Sequence, residues 1–410
     1  MRSDLDGLMA ERNLDAFIIP GTEGHSPQRD YMTGGVHASA MVVKKRGEAP
    51  ILIVNHMEID EAKKSGLTVM TLDDFHYSEI VTKHGRVSAA TRKALWEQYI
   101  EKLGIQGRLT LYGSTDIQYV LNIIDLLKTH FAGRLEIVLD ETPDIFAIAS
   151  ETKDEQELEK LRESGRRTSL VMRQVRDWIS GHRADNGQVV DAEGKPLTIG
   201  TVKRYLRLCL LEQDMEDGGV TIFAQGHDAG VPHSRGEADD ILRPGEAIIF
   251  DLFPYPIGGG YYHDTTRTWC PGFAREDVQK AYDLVKDVYF RSLEGVELGR
   301  PTKEIATKVC EWFEAAGHPT RKSTPNTTEG YTHSLGHGIG LAIHEEPGVS
   351  PASADSMVFK AGNVVTIEPG LYYPSKGYGV RIEDSLYLDE AGQLHNLTDI
   401  PYDLIVPLNG

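Results

Sequence analysis

Over residues 1–150, short apolar runs alternate with stretches whose apolar positions recur every three or four residues. The runs Ala16–Ile19, Ala40–Val43, Ile51–Val54, Val69–Leu72, Leu109–Tyr112 and Ile137–Leu139 have strand length and polar flanks, and predict strands. Ser88–Leu103 and Thr115–Phe131 carry the helical period. The alternation predicts an α/β domain ending near residue 150. A long charged helix is expected next, in ETKDEQELEKLRESGRRTSLVMRQVRDWI. Thr152 or Asp154 can cap it, and glutamates occupy its first turns, where the helix dipole favours them. SGHRADNGQVVDAEGKPLTIG reads as a loop or small hairpin, and further helices are expected at Thr201–Glu212, Arg275–Leu293 and Thr302–Ala316.

The second part repeats itself. RPGEAIIFD (Arg243–Asp251) and KAGNVVTIE (Lys360–Glu368) align without a gap, each with a basic residue, a glycine, an apolar run and a terminal acid. Each acid leads through a Gly/Pro-bearing turn to a second run with a second acid, Asp264 in one unit and Glu383 in the other. Two such units predict a domain built by duplication, in which the two runs superpose.

Composition narrows the class. Of 410 residues, 26% are charged and 40% hydrophobic, as in ordinary globular proteins. The formal charge of −19 argues against nucleic acid or an anionic membrane as the main partner. No apolar stretch reaches the length of a membrane span, and the opening MRSDLDGLMAERNLDAF lacks the apolar core of a secretion signal. Cys209, Cys270 and Cys310 share no metal-type spacing and read as reduced thiols, so a cytoplasmic protein is expected.

The chemistry concentrates in four acids and one histidine-rich segment. Asp251 and Glu368 end very apolar runs, where an ionised carboxylate is costly unless it is paired or holds a cation. Asp264 and Glu383 lie near Arg267 and Arg381 in sequence, so structural ion pairs are the ordinary alternative. HSLGHGIGLAIHEEP places His337 and His344 seven residues apart, among Gly336, Gly338 and Gly340. Glycine lets the backbone approach a crowded site. His333 reads as an ordinary surface or core histidine.

Asp251, Asp264, His337, Glu368 and Glu383 resemble the ligand order Asp, Asp, His, Glu, Glu of the pita-bread metallopeptidases, family M24. The flanking words PHSRGEADDILRPGEAIIFD, YYHDTTRT, HGIGLAIHEEP, TIEPGLYY and VRIEDS are similar too, over roughly residues 150–400. The resemblance implies a pseudo-twofold pita-bread catalytic domain over 151–410. Before it, over 1–150 with its RDYMTGG, comes an α/β domain like that of prolidases, Xaa-Pro aminopeptidases and creatinase. It also implies two divalent ions, manganese first, with cobalt, zinc or iron as alternatives. Asp251 would bind one ion, His337 and Glu368 the other, and Asp264 and Glu383 would bridge them. A bridging hydroxide would attack the Xaa-Pro bond of a dipeptide or of a peptide with proline second, and Glu368 would accept the proton. By the same resemblance His233 and His344 would face the substrate, Arg381 would orient the bridging carboxylate or meet the substrate, and the chain would form a homodimer.

Two departures stand out. Asp251 and Asp264 are two residues further apart than is usual in the family, and His263 replaces a small residue, so the longer loop is expected to reshape the pocket wall. The alternative activity is a non-peptidase on the same scaffold, a creatinase-like amide or amidino hydrolase or a metal-dependent sulfoniopropionate lyase. A non-catalytic binding module fits poorly because every candidate ligand is kept.

Overall fold

A computed structural model describes residues 4–21 and 25–409. The chain divides into two compact units, Met1–Ser150 with Gly258–Gly260, and Glu151–Ile257 with Tyr261–Gly410.

The first unit is built on a six-stranded mixed sheet. Its spatial order is Thr68–Thr71, Ile51–Val54, Met41–Lys45, Ala16–Ile19, Gly107–Leu111, Leu135–Ile137. Ala16–Ile19 pairs antiparallel with Met41–Lys45 and parallel with Gly107–Leu111. The helices Ala89–Lys102 and Ile117–His130 contribute Trp96, Tyr99, Ile100, Ile123 and Leu127 to a core with Ile18, Val43, Ile53 and Leu109.

The second unit opens with the 26-residue helix Glu155–Ser180. Asp154 caps it, accepting from the Glu157 N–H while the Glu157 carboxylate accepts from the Asp154 N–H. Leu158, Leu161, Val171, Met172, Val175 and Ile179 fall on its buried face at helical spacing. The segment after it forms a small hairpin, Arg183–Asp185 with Gln188–Val190, turned by Asn186 and Gly187, both at positive φ. Two sheets follow. Ile222–Gln225, Ile248–Leu252, Thr265–Pro271 and Ile405–Val406 make the first, and Phe223, Phe250 and Trp269 pack there against Val171, Val175 and Leu206. The second contains Glu345–Val349, Gly336–Gly338, Val364–Ile367, Asp384–Leu388 and Leu394–Asn396. The helices Glu276–Leu293 and Thr302–Ala315 supply Val285, Tyr289, Ile305 and Val309 to a core with Val365, Ile367 and Leu386.

The duplication is present in the hydrogen bonds. Gly245 and Gly362 both have positive φ, and their N–H groups donate to Pro271 O and Leu388 O, positions at the same offset as the glycines themselves. Phe250 faces Arg267 across its hairpin and Ile367 faces Asp384, again at that offset. The halves meet where Thr266 and Glu383 exchange both backbone hydrogen bonds. On one side, Ser385 Oγ brackets the N–H and carbonyl of Asp264; on the other, Thr268 Oγ1 brackets those of Arg381. A twofold relation exchanges these pairs. The second acids break it, however. Thr266 occupies the register of Glu383, and Asp264 sits two residues earlier, opposite in role to Arg381. Because strand side chains alternate, Asp264 and Thr266 still share a face.

Candidate metal and active site

Strand ends deliver the acids. Asp251 lies on Ile248–Leu252, which is flanked on both sides by antiparallel partners. Asp264 precedes Thr265–Pro271, Glu368 follows Val364–Ile367, and Glu383 stands between Arg381 and Asp384. His337 is the middle residue of Gly336–Gly338. A Cβ at Gly336 would lie 1.9 Å from Thr366 O, and one at Gly338 would lie 2.1 Å from Glu346 O. Only glycine therefore lets this short strand carry its histidine between its neighbours.

Asp251, Asp264, His337, Glu368 and Glu383 line one cavity of about 770 Å³, together with His233, His344 and Arg381. His337 Nε2 is 3.7 Å from both Asp264 Oδ2 and Glu368 Oε1. Its Nδ1 is 3.0 Å from the Gly338 carbonyl, an arrangement that places the proton on Nδ1 and turns a lone pair on Nε2 toward the acids. Donor atoms of Asp264, His337 and Glu383 all lie within 4.8 Å of one another, close enough to hold one ion. His344 stands edge-on to His337 with ring centroids 4.4 Å apart.

The nearby arginines do not neutralise the cluster as the ion-pair alternative requires. Arg267 turns away, bonding Asp384 at 2.7 Å where both side chains are fully buried. Arg381 binds Asp251 Oδ2 at 2.6 Å and donates to the Tyr372 hydroxyl and Thr266 Oγ1, and Thr266 Oγ1 in turn donates to Glu383 Oε2 at 2.7 Å. Its guanidinium is thus committed to Asp251 and reaches Glu383 only through Thr266. Burial pushes the carboxyls of Asp264 and Glu383 far above the usual range, and the neighbouring carboxylates push the same way. Burial raises Glu368 to about 8 against the pull of Arg381. His337 is lowered to about 4 by burial and by His344. Asp251 Oδ1 and Asp264 Oδ1 are buried without a hydrogen-bond partner. Oxygen-rich acids that cannot ionise alone, two orphaned oxygens and one aimed imidazole fit divalent cations.

Two residues behave differently from expectation. His333 lines the cavity, its Nε2 2.8 Å from the Tyr372 hydroxyl and its Nδ1 3.7 Å from Glu368 Oε2. Nothing in its local sequence separates it from an ordinary histidine, because both contacts come from residues more than thirty positions away. His263 does not reach the pocket wall. It is fully buried, 3.0 Å from Thr398 Oγ1, against Gly165 of the long helix, where a Cβ would meet its ring at 3.0 Å. Phe253 lines the cavity from the longer loop instead.

A sequence model of the metallopeptidase family M24 matches residues 159–390, and the chain belongs to that family. The probable dipeptidase PepE of Mycobacterium tuberculosis is 24% identical over 402 residues, covering 98% of this chain and 92% of the relative. The Xaa-Pro dipeptidase of Pyrococcus horikoshii is 27% identical over 404 residues, 97% of this chain and 96% of the relative. Among solved structures, a dipeptidase from Pyrococcus horikoshii OT3 superposes with a TM-score of 0.75 at 22% identity, over 98% of both chains. The protein is a metallopeptidase with the pita-bread fold.

Proposed function

We propose that this chain hydrolyses the Xaa-Pro bond of dipeptides or of short peptides with proline second. The observation that carries the reading is the convergence of Asp251, Asp264, His337, Glu368 and Glu383 on one cavity, with no arginine among the described residues paired to Asp264 or Glu383. The full-length likeness to an Xaa-Pro dipeptidase supports the substrate class. In this reading residues 1–150 form the creatinase-like N-terminal domain and 151–410 the catalytic domain. The five side chains hold two divalent ions, manganese first, and the chain works as a cytoplasmic homodimer.

Bound divalent ions would supply Lewis acidity and make hydroxide available near neutral pH. Glu368 takes the proton of the attacking water and returns it to the leaving proline nitrogen. His344 and His233 donate to the carbonyl oxygen as negative charge develops there. Arg381 holds Asp251 in a single rotamer. Val220, Ile222, Phe253 and Ile343 give the cavity an apolar wall for a proline ring.

A turnover screen of the metal-reconstituted protein tests this. Xaa-Pro dipeptides, longer peptides with proline second, creatine and dimethylsulfoniopropionate are compared in parallel. Turnover confined to the last two compounds would replace the peptidase substrate with the alternative activity.

A further inference from the structure

The turn that carries His344 is held from behind by a buried ion pair. Lys153 Nζ lies 2.8 Å from Glu345 Oε2, and the two side chains are only 1% and 8% exposed. So deep a pair is a poor source of stability, because desolvation offsets most of its attraction. It is a good source of geometry. The other carboxylate oxygen of Glu345 accepts the Ala342 N–H at 3.0 Å, which closes the turn immediately before His344. Gly340 makes room for that carboxylate, since a Cβ there would lie 2.4 Å from Glu345 Oε2. The Lys153 N–H donates to Gly362 O, in the turn that leads into the strand ending at Glu368. Lys153 thus ties the His344 turn, through its Nζ, to the turn before the strand of the candidate base, through its N–H. Among the described residues no hydrogen bond restrains the His344 ring, so its aim depends on this backbone.

We propose that Lys153 and Glu345 are positioning residues that fix the direction of His344 into the cavity. The inference rests on the catalytic role of His344 proposed above.

The test uses the metal-loaded full chain. Removing one partner alone strands a buried charge and can unfold the protein, so the central variant is K153M/E345Q, which removes both charges and keeps an acceptor for Ala342. A second variant, G340A, displaces the Glu345 carboxylate without changing any charge. Both are expected to keep wild-type metal content and to lose about 10- to 100-fold in kcat with KM within about twofold, as misaligned catalytic groups do. On an H344A background the same changes should cost less than about twofold, because the group they aim is gone. In protein loaded with diamagnetic zinc, the His344 imidazole resonance should shift in both variants, which reads its position without catalysis. Wild-type kcat in K153M/E345Q and G340A, or equal losses with and without His344, overturns the proposal. Wild-type kcat in H344A alone overturns the catalytic role of His344, and this inference with it.

Discussion

At the scale of single residues, the cluster is explained by which charges are answered and which are not. Asp251 has Arg381; among the described residues no guanidinium pairs with Asp264 or Glu383, although an arginine stands close to each in sequence. Strand alternation points Arg267 to the opposite face from Thr266, toward Asp384, while Arg381 faces the cavity and is spent on Asp251. The four acids and the histidine-rich segment stood out in the sequence and the five-ligand set came from the family resemblance, whereas the Tyr372–His333 contact and the burial of His263 are long-range facts that no local pattern carries. Asp264→Ala and Glu383→Ala are each expected to abolish Xaa-Pro turnover while the chain stays folded, and to bring bound metal below two ions per chain. Turnover assays beside elemental analysis check this, and wild-type activity in either variant would mean the site is misassigned. His344→Ala should separate binding from catalysis. It keeps its metals and loses about 100- to 1000-fold in kcat, roughly 2.7–4 kcal/mol, as expected for one donor to a developing oxyanion. Loss of metal from that variant would instead make His344 a ligand.

At the scale of elements, the strands of the first unit were readable to within one or two residues, Ala16–Ile19 and Ile51–Val54 without any shift. Their spatial order was not readable, because it depends on pairings such as Ala16 with Leu109 between distant segments. In the second unit the nine-residue repeat pointed to the internal twofold, yet it misled about the second acids. Asp264 and Glu383 look equivalent along the chain, but the ladder matches Glu383 with Thr266. Asp251 to Thr266 spans as many residues as Glu368 to Glu383, so the first unit simply places its second acid two residues before the matched position, and an even shift preserves its face. The turns that begin the two hairpins did stay equivalent, with Gly245 at φ +81 and Gly362 at φ +88. A side chain at either position meets the left-handed penalty of about 1–2 kcal/mol. Gly362→Ala also brings a Cβ to 3.1 Å from Thr152. Both alanine variants should therefore lower the midpoint of chemical unfolding, and a midpoint unchanged in either one would show that the turn tolerates another conformation.

At the scale of the whole molecule, a cluster of acids inside a folded domain links stability to pH and to cations. Glu368 is raised to about 8, and Asp264 and Glu383 are raised as well, so the folded, ion-free protein holds protons that the unfolded chain has already released. Stability then falls as pH rises through that interval, because the unfolded state binds fewer protons. The buried histidines act in the opposite direction. His337 is lowered to about 4 and His333 to about 3, so the folded protein gains stability as pH rises through the ordinary histidine value of about 6.5, and that gain is complete by about pH 7.5. Above about pH 7.5 the histidine gain is over while the carboxyl effect continues, because Glu368 is still releasing its proton there. Divalent cations reverse it, since they bind the ionised ligands and their affinity grows as protons leave. Thermal unfolding of chelator-treated protein is therefore expected to shift downward from about pH 7.5 to about pH 8.5, while the protein with excess manganese shifts little, so that the gap between the two widens with pH. Comparing the two forms at each pH cancels every titrating group remote from the site. A gap that narrows or stays constant over that interval would mean that the buried acids are neutralised by something other than a bound cation.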